Sequence, residues 1–174
     1  MSMILVSPLA AVDEVLKAYA PSHIVSLLSP PHMIETPEGF PRERHLRLGL
    51  NDISDPAFGD APPDIRHVDD LLAFGRAWSG ERPLLSHCWA GVSRSMAAAY
   101  ILLCDRAGTG SEHEIAQTIR EKAPHAYPNR LLIRLADMRL ERQGRMVRAV
   151  EAMGPGTPVE EGVTVEFPLI LAAK

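Results

Sequence analysis

The chain has little cysteine and no recognisable set of metal-binding residues. Its 174 residues include two cysteines, Cys88 and Cys104, which are too few for a disulfide framework. Neither cysteine has a histidine or a second cysteine at the spacing of a zinc site. We therefore expect no metal and no cofactor, and free thiols that need a reducing compartment.

The chain also lacks the segments that would direct it to a membrane or to nucleic acid. The partly apolar stretch from Met3 has no basic leader and is interrupted by Pro8 and Asp13, unlike a secretion signal. No apolar run approaches the roughly 20 residues of a membrane-spanning helix. Aromatic residues make up 5% of the chain and are not interleaved with basic ones as in nucleic-acid-binding modules. These absences predict a cytoplasmic protein that binds neither membrane nor nucleic acid.

The composition that remains is typical of a soluble globular domain. Apolar residues make up 46% and charged residues 23% of the chain. The use of arginine, alanine and proline resembles that of bacterial proteins from GC-rich genomes. Short apolar runs predict strands at residues 3–7, 23–29, 45–50 and 83–86, with apolar residues at helical spacing between and after them. This alternation predicts an α/β fold, with a central, mostly parallel sheet flanked by helices on both faces.

The C-terminal third carries three further expectations. Ser111 and Glu114 have the spacing of a helix capping box, and one long helix is expected from Asn129 through Met146. We expect residues 1–153 to form a single catalytic domain and residues 154–174 to form an extension. The apolar run 163–171 predicts either an edge strand or an arm that packs on a neighbouring subunit, which would make a homodimer possible.

The most informative segment is residues 87–95, His-Cys-Trp-Ala-Gly-Val-Ser-Arg-Ser. It follows the apolar run 83–86 and precedes the almost unbroken apolar run 96–104. The predicted order is strand, tight loop, helix, with the loop at the carboxyl end of a central strand, where parallel sheets bind ligands. Cys88 and Arg94 stand at the two ends of this loop.

This arrangement suits a phosphate group. The free amides of a loop that enters a helix, together with the positive end of the helix dipole, hold a tetrahedral anion. Gly91 permits backbone angles that a side chain would obstruct, and Arg94 can bind two phosphate oxygens at once. The same positive field favours the thiolate form of Cys88, a nucleophile that Ser95 can steady with its hydroxyl.

The pattern His-Cys-x-x-Gly-x-Ser-Arg-Ser resembles the signature of the cysteine-dependent protein tyrosine phosphatase superfamily, most closely its dual-specificity branch. The resemblance implies that Cys88 is the nucleophile and that residues 89–94 bind phosphate, namely Trp89, Ala90, Gly91, Val92, Ser93 and Arg94. It gives His87 a supporting role, because that histidine holds the cysteine loop by hydrogen bonds. A rhodanese-like sulfur carrier also uses a cysteine loop, but its loop is spaced differently.

Two residues of the pattern have alternative interpretations. Asn129 precedes a helix, as an asparagine does in several dual-specificity relatives, where it forms hydrogen bonds around the cysteine loop. A plain helix N-cap is the favoured interpretation of Asn129. Trp89 either lines the entrance to the pocket or simply packs.

The reaction that the resemblance implies also needs a general acid, because the leaving oxygen takes up a proton. Asp52 precedes Cys88 by 36 residues, at the end of a predicted strand, and Asn51-Asp52 resembles the local pattern of the dual-specificity branch. We therefore expect Asp52 to be the acid. Asp55 is the alternative acid and Asp60 the third choice, although aspartates in such a segment are also common as solvated turn residues.

The resulting hypothesis is a phosphate-monoester hydrolase that acts through a phosphocysteine intermediate. Its substrate would be a phosphorylated protein or a small phosphomonoester. The loop carries no lysine, which argues against a multiply phosphorylated head group. The alternative hypothesis is a phosphate- or phosphopeptide-binding interaction module with little catalytic activity.

Overall fold

The protein, a computed structural model in which residues 2–169 are described, folds as a layered α/β structure. Its five strands and six helices, in chain order, are β1 (Met3–Pro8), α1 (Val12–Tyr19), β2 (His23–Leu28), β3 (His45–Gly49), α2 (Ile65–Ala77), β4 (Leu84–Cys88), α3 (Arg94–Ala107), α4 (Glu112–Lys122), α5 (Arg130–Arg139), α6 (Arg145–Ala152) and β5 (Val165–Pro168). The predicted α/β class is confirmed.

The sheet has the strand order β3-β2-β4-β1-β5, so β4 is the central strand. Strands β1 to β4 are parallel, and β5 adds to β1 in the antiparallel direction. The register pairs Pro8 of β1 with Cys88 of β4. The loop after β4 therefore starts beside the end of β1, at the carboxyl edge of the sheet.

Helices cover both faces of the sheet, and the central strands are therefore buried on both sides. Helix α1 packs over one face, where Val12 and Val15 meet Leu5 and Leu85. The other five helices contribute to a larger core on the opposite face. Helix α3 lies deepest, with every residue from Arg94 to Cys104 buried. The start of α3, and with it the cysteine loop, is held in a rigid environment.

The single long helix expected after Asn129 is wrong, since the chain forms two helices, α5 and α6. Between them Gly144 adopts the left-handed conformation, with φ of +81°. The buried carboxylate of Asp137 accepts hydrogen bonds from the amides of Gly144 (2.6 Å) and Met146 (2.8 Å), which satisfies the start of α6. A buried aspartate that caps the following helix cannot be distinguished in the sequence from one on a continuous helix.

The predicted capping box at the start of α4 is also wrong. The Ser111 hydroxyl donates to the carbonyl oxygen of Gly108 (2.8 Å), and its side chain does not cap the helix. Glu112, rather than Glu114, turns inward, because it pairs with the buried guanidinium of Arg142 at 2.8 Å.

The C-terminal segment joins the same sheet. Strand β5 pairs with β1, and the side chains of Val165 and Phe167 are buried in the larger core. These apolar residues are thus covered within one chain, and the homodimer stays a prediction. Residues 170–174 of the expected extension lie outside the described residues.

Candidate functional site

The loop between β4 and α3 spans residues 89–93, and its carbonyl oxygens are bound from outside the loop. Four of these carbonyls accept amide hydrogen bonds from three other segments of the chain: Trp89 from Leu9 (3.1 Å), Ala90 from Gly162 (2.8 Å), Val92 from Tyr127 (2.9 Å) and Ser93 from Asn129 (3.2 Å). With its carbonyls held outward, the loop leaves its amides available to an anion. This is the geometry of an anion-binding cradle.

Gly91 is the tightest point of this loop. Its φ is +69°, and a Cβ atom there would lie 2.6 Å from the backbone nitrogen of Pro8. Any side chain would push the loop away from the end of β1. The glycine is therefore required both by its backbone angle and by the close approach of two backbone segments.

Cys88 and Arg94 lie at the base of one cavity. Cys88 is 2% exposed, and its Sγ lies 3.1 Å from the Ser95 hydroxyl. The buried Arg94 guanidinium donates from Nη1 to the carbonyl oxygen of Leu50 (3.0 Å). Its Nε has no hydrogen-bond partner among the described residues. A buried donor of this kind is costly unless a ligand satisfies it.

The cavity above the thiol has a volume of about 470 Å³. Its lining combines polar groups with apolar side chains at the rim. The lining residues are Asp52, Ser54, Cys88, Trp89, Ala90, Val92, Ser93, Arg94, Tyr127 and Val159. A deep thiol and a guanidinium under a partly apolar opening suit an anionic group carried on a larger molecule.

Asp52 is the predicted acid that lines this cavity. Its Oδ1 accepts hydrogen bonds from the Ser93 hydroxyl (2.6 Å) and from Nδ2 of Asn129 (2.9 Å). Both donors go to one oxygen, and the other accepts no hydrogen bond from residues 2–169. Asp55 instead accepts a bond from the Ala57 amide (2.9 Å), at the start of a short 3₁₀ turn, and does not line the cavity. Asp60 is exposed and does not line it either.

Comparisons with known proteins find similarity to phosphatases. No protein-family model matches the chain. Over 79 residues it is 37% identical to dual specificity protein phosphatase 12 of Mus musculus, an alignment that covers 43% of this chain. The chain spans 23% of that relative's length.

Solved structures match over most of the chain. The crystal structure of DUSP15 superposes with a TM-score of 0.57 at 19% identity, covering 87% of this chain and 92% of that one. The human tyrosine phosphatase-like serine/threonine/tyrosine-interacting protein superposes with a TM-score of 0.59 at 17% identity, covering 78% of this chain and 89% of that one. PTPMT1 in complex with PI(5)P superposes with a TM-score of 0.59 at 13% identity, covering 86% of this chain and 96% of that one.

The chain has the dual-specificity phosphatase fold. The match to dual specificity protein phosphatase 12 confirms the predicted resemblance to the cysteine-dependent protein tyrosine phosphatase superfamily. The loop after β4 lies at the carboxyl edge of the sheet. Both cysteines are free thiols. Among residues 2–169, no helix is both long and apolar enough to cross a bilayer.

His87 lies behind the cysteine loop and belongs to a buried chain of hydrogen-bonded polar side chains. The Ser26 hydroxyl lies 2.5 Å from Nε2 of His87 and 2.7 Å from Nε2 of His45. Nδ1 of His45 in turn lies 2.9 Å from the Thr36 hydroxyl. Burial lowers the pKa of His87 to about 4, and that of His45 also to about 4. Both rings are therefore neutral at pH 7 and act as hydrogen-bonding groups in the floor of the site.

Asn129 combines the two roles that the sequence left open. Its Oδ1 caps α5 by accepting from the Leu132 amide (3.0 Å). Its Nδ2 donates to Asp52 and to the carbonyl oxygen of Ile53 (3.0 Å). One side chain thus fixes the start of a helix and the segment that carries the aspartate.

Three lining residues were absent from the sequence hypothesis: Ser54, Tyr127 and Val159. Tyr127 immediately precedes the Pro128-Asn129 pair. Because the resemblance already singled out Asn129, the position of Tyr127 could have marked it as a candidate. Val159 lies in the C-terminal segment, and no local pattern relates it to Cys88. Trp89 proves to line the entrance, where it is 55% exposed and its ring meets that of His32 edge to face.

Proposed function

We propose that the chain is a phosphate-monoester hydrolase that acts through a phosphocysteine intermediate on Cys88. The observation that carries the proposal is the shared cavity. Its base holds the Cys88 thiol and the Arg94 guanidinium, and its wall holds Asp52. A nucleophile, a charge clamp and a proton donor then act on one bound group.

In the first step the Cys88 thiolate attacks phosphorus in line, and a sulfur–phosphorus bond forms while the bond to the leaving oxygen breaks. Asp52, protonated at the oxygen that faces the cavity, gives its proton to that leaving oxygen. Arg94 and the amides of residues 89–93 hold the three remaining phosphate oxygens.

In the second step water attacks the phosphocysteine. Asp52, now a carboxylate, accepts a proton from this water, and the sulfur–phosphorus bond breaks to release inorganic phosphate. The Ser95 hydroxyl, 3.1 Å from the sulfur, donates a hydrogen bond to the departing thiolate. Ser93 and Asn129 keep the carboxylate of Asp52 in place through both steps.

The proposed substrate is a phosphorylated protein or a small phosphomonoester. The neutral loop residues Ala90, Gly91 and Val92 offer no extra cation for a multiply phosphorylated head group. The nucleophile must stay reduced, so we place the protein in a reducing, cytoplasmic compartment.

The test is turnover of p-nitrophenyl phosphate with vanadate as a competing anion. Cys88→Ser should abolish turnover, while inorganic phosphate should still bind in the cradle when it is titrated calorimetrically. For phenyl phosphate, whose leaving group is poorer than that of p-nitrophenyl phosphate, Asp52→Asn should lower turnover about 100-fold. Asp55→Asn is the matched control and should leave this turnover unchanged. Wild-type turnover in Cys88→Ser would contradict the proposal. Vanadate binding without any wild-type turnover would favour an interaction module instead.

A further inference from the structure

The segment that follows α6 passes beside the cavity, which Val159 lines, before it enters β5. The Thr157 amide donates to the carbonyl oxygen of Pro124 (2.8 Å), and the Gly162 amide donates to that of Ala90 (2.8 Å). Ala90 belongs to the phosphate loop itself. Residues 157–162, which we call the arch, are therefore attached directly to the cradle.

Two glycines fix the position of the arch: Gly156, which precedes it, and Gly162, its last residue. A Cβ atom on Gly156 would lie 2.6 Å from the carbonyl oxygen of Ala126, and one on Gly162 would lie 2.6 Å from Nε2 of His125. The backbone of the segment thus packs against residues 125–126 with no space for a side chain. The contact explains why the arch follows this path rather than extending into solvent.

Arg120 on α4 connects the segment around Ala126 to the segment that precedes the arch. Its guanidinium donates to the carbonyl oxygens of Ala126 (2.9 Å) and Gly154 (3.1 Å). One side chain therefore ties the segment before Tyr127 to the segment before the arch. The arch is held at both ends and along its approach, so its central residues have a defined place at the cavity.

Val159 is the arch residue that lines the cavity. It is 44% exposed, as is Tyr127, and Trp89 is 55% exposed. Of the six large hydrophobic side chains that are exposed in residues 2–169, these three surround the cavity above Cys88. Apolar groups gathered at the rim of a polar pocket favour a ligand that buries them.

We infer that the arch forms one wall of the substrate-binding surface, and that Val159 contacts the leaving group of the phosphate ester. The wall favours aryl esters with an extended apolar body, such as a phosphotyrosine side chain, over compact polar phosphomonoesters. This inference rests on the proposed function, and it assigns part of the specificity to a segment outside the cysteine motif. Val159 is a specificity-determining residue that takes no part in the proton or phosphoryl transfers.

The experiment compares Val159→Ser with Val163→Ser. Val163 is a matched control because it is an exposed valine of the same segment that does not line the cavity. For 3-O-methylfluorescein phosphate, an extended aryl ester, Val159→Ser should lower kcat/KM about tenfold, mainly through KM. Val159→Leu should keep it near the wild-type value. Inhibition by vanadate, which fills only the cradle, should change less than twofold in every variant.

The outcomes separate this inference from the proposed function. If the wild type is active and Val159→Ser has the same kcat/KM, the inference about the arch is refuted and the proposed hydrolase function still stands. A wild type that turns over no aryl phosphate would overturn the hydrolase. In that case calorimetric titration of a phosphotyrosine peptide still tests the arch, since its affinity should fall in Val159→Ser and not in Val163→Ser. Equal affinities would refute the inference.

Discussion

Replacing Gly91 by alanine should damage the phosphate cradle far more than it damages the fold. Two separate costs arise at this position. The first is the left-handed backbone, with φ of +69°, which costs a residue with a Cβ about 1–2 kcal/mol. The second is the collision of that Cβ with the backbone nitrogen of Pro8 at 2.6 Å, well inside the 3.4 Å at which ordinary contacts begin.

The collision involves backbone on both sides, so a side-chain rotation cannot relieve it. The loop must move by about 0.8 Å, the difference between those two distances. A displacement near 1 Å at a reacting centre costs about 100-fold in rate. We therefore expect Gly91→Ala to lower kcat/KM for p-nitrophenyl phosphate by about that factor and to weaken inhibition by vanadate, because the amides that hold the anion move with the loop.

Gly39→Ala is the matched control. Its φ is +76°, and a Cβ there meets nothing within 4 Å, so it carries the backbone cost without the collision. It should lower the Tm by roughly 2–8 °C, from a cost of about 1–2 kcal/mol in a chain of this size, and leave kcat/KM unchanged. If Gly91→Ala keeps kcat/KM and vanadate inhibition within threefold of wild type, the close approach of the loop to β1 is wrong.

Two further predictions concern stability. Arg142→Leu removes one partner of the buried pair with Glu112 and should lower the free energy of unfolding by about 3–5 kcal/mol. Arg139→Leu is the matched control, because it removes one partner of the exposed pair with Asp69 and should cost about 0–1 kcal/mol. Equal shifts in urea midpoint for the two variants would contradict this. His87 and His45 have pKa values near 4 when folded, below their unfolded value of 6.5, so the unfolded chain binds more protons between those pH values. Stability should therefore fall as the pH drops from 6.5 towards 4, and a urea midpoint that is constant from about pH 7 to about pH 4.5 would refute the assignment of neutral buried rings.

The parts of the fold that follow from local pattern were predictable. Strands β1 to β4 are short apolar runs between turn residues, and each lies within one or two residues of its predicted bounds. The cysteine loop was predictable because its residue types and its position between strand and helix coincide. The break between α5 and α6 was not, since it depends on Asp137 being buried and turned towards the amide of Gly144. This contact depends on the tertiary structure, and the spacing of apolar residues in the sequence does not indicate it.

The candidate site divides in the same way. Cys88 and Arg94 are neighbours in a motif, and Asp52 was ranked above Asp55 on spacing and local pattern, a ranking that fits its place on the cavity wall. Val159 could not be found from sequence, because its place at the cavity depends on hydrogen bonds that the amides of Thr157 and Gly162 make to the distant carbonyls of Pro124 and Ala90. Residues that carry chemistry have restricted identities and spacing. Residues that shape the opening need only be apolar and near.

The cradle itself depends on segments far from the motif. The donors to its four bound carbonyls come from the start of the chain, from the segment before α5 and from the arch. Each amide that turns a loop carbonyl outward orients the next loop amide, because the two belong to one planar peptide group. The anion-binding geometry is thus imposed by tertiary contacts, while the motif supplies the sulfur, the guanidinium and a glycine that tolerates the path. If residues 87–95 were placed between a strand and a helix of another protein, they would keep the nucleophile. They would lose the hydrogen bonds that hold the loop carbonyls outward. Loss of the Gly162 restraint alone should loosen the amide that follows Ala90 and weaken oxyanion binding without touching Cys88.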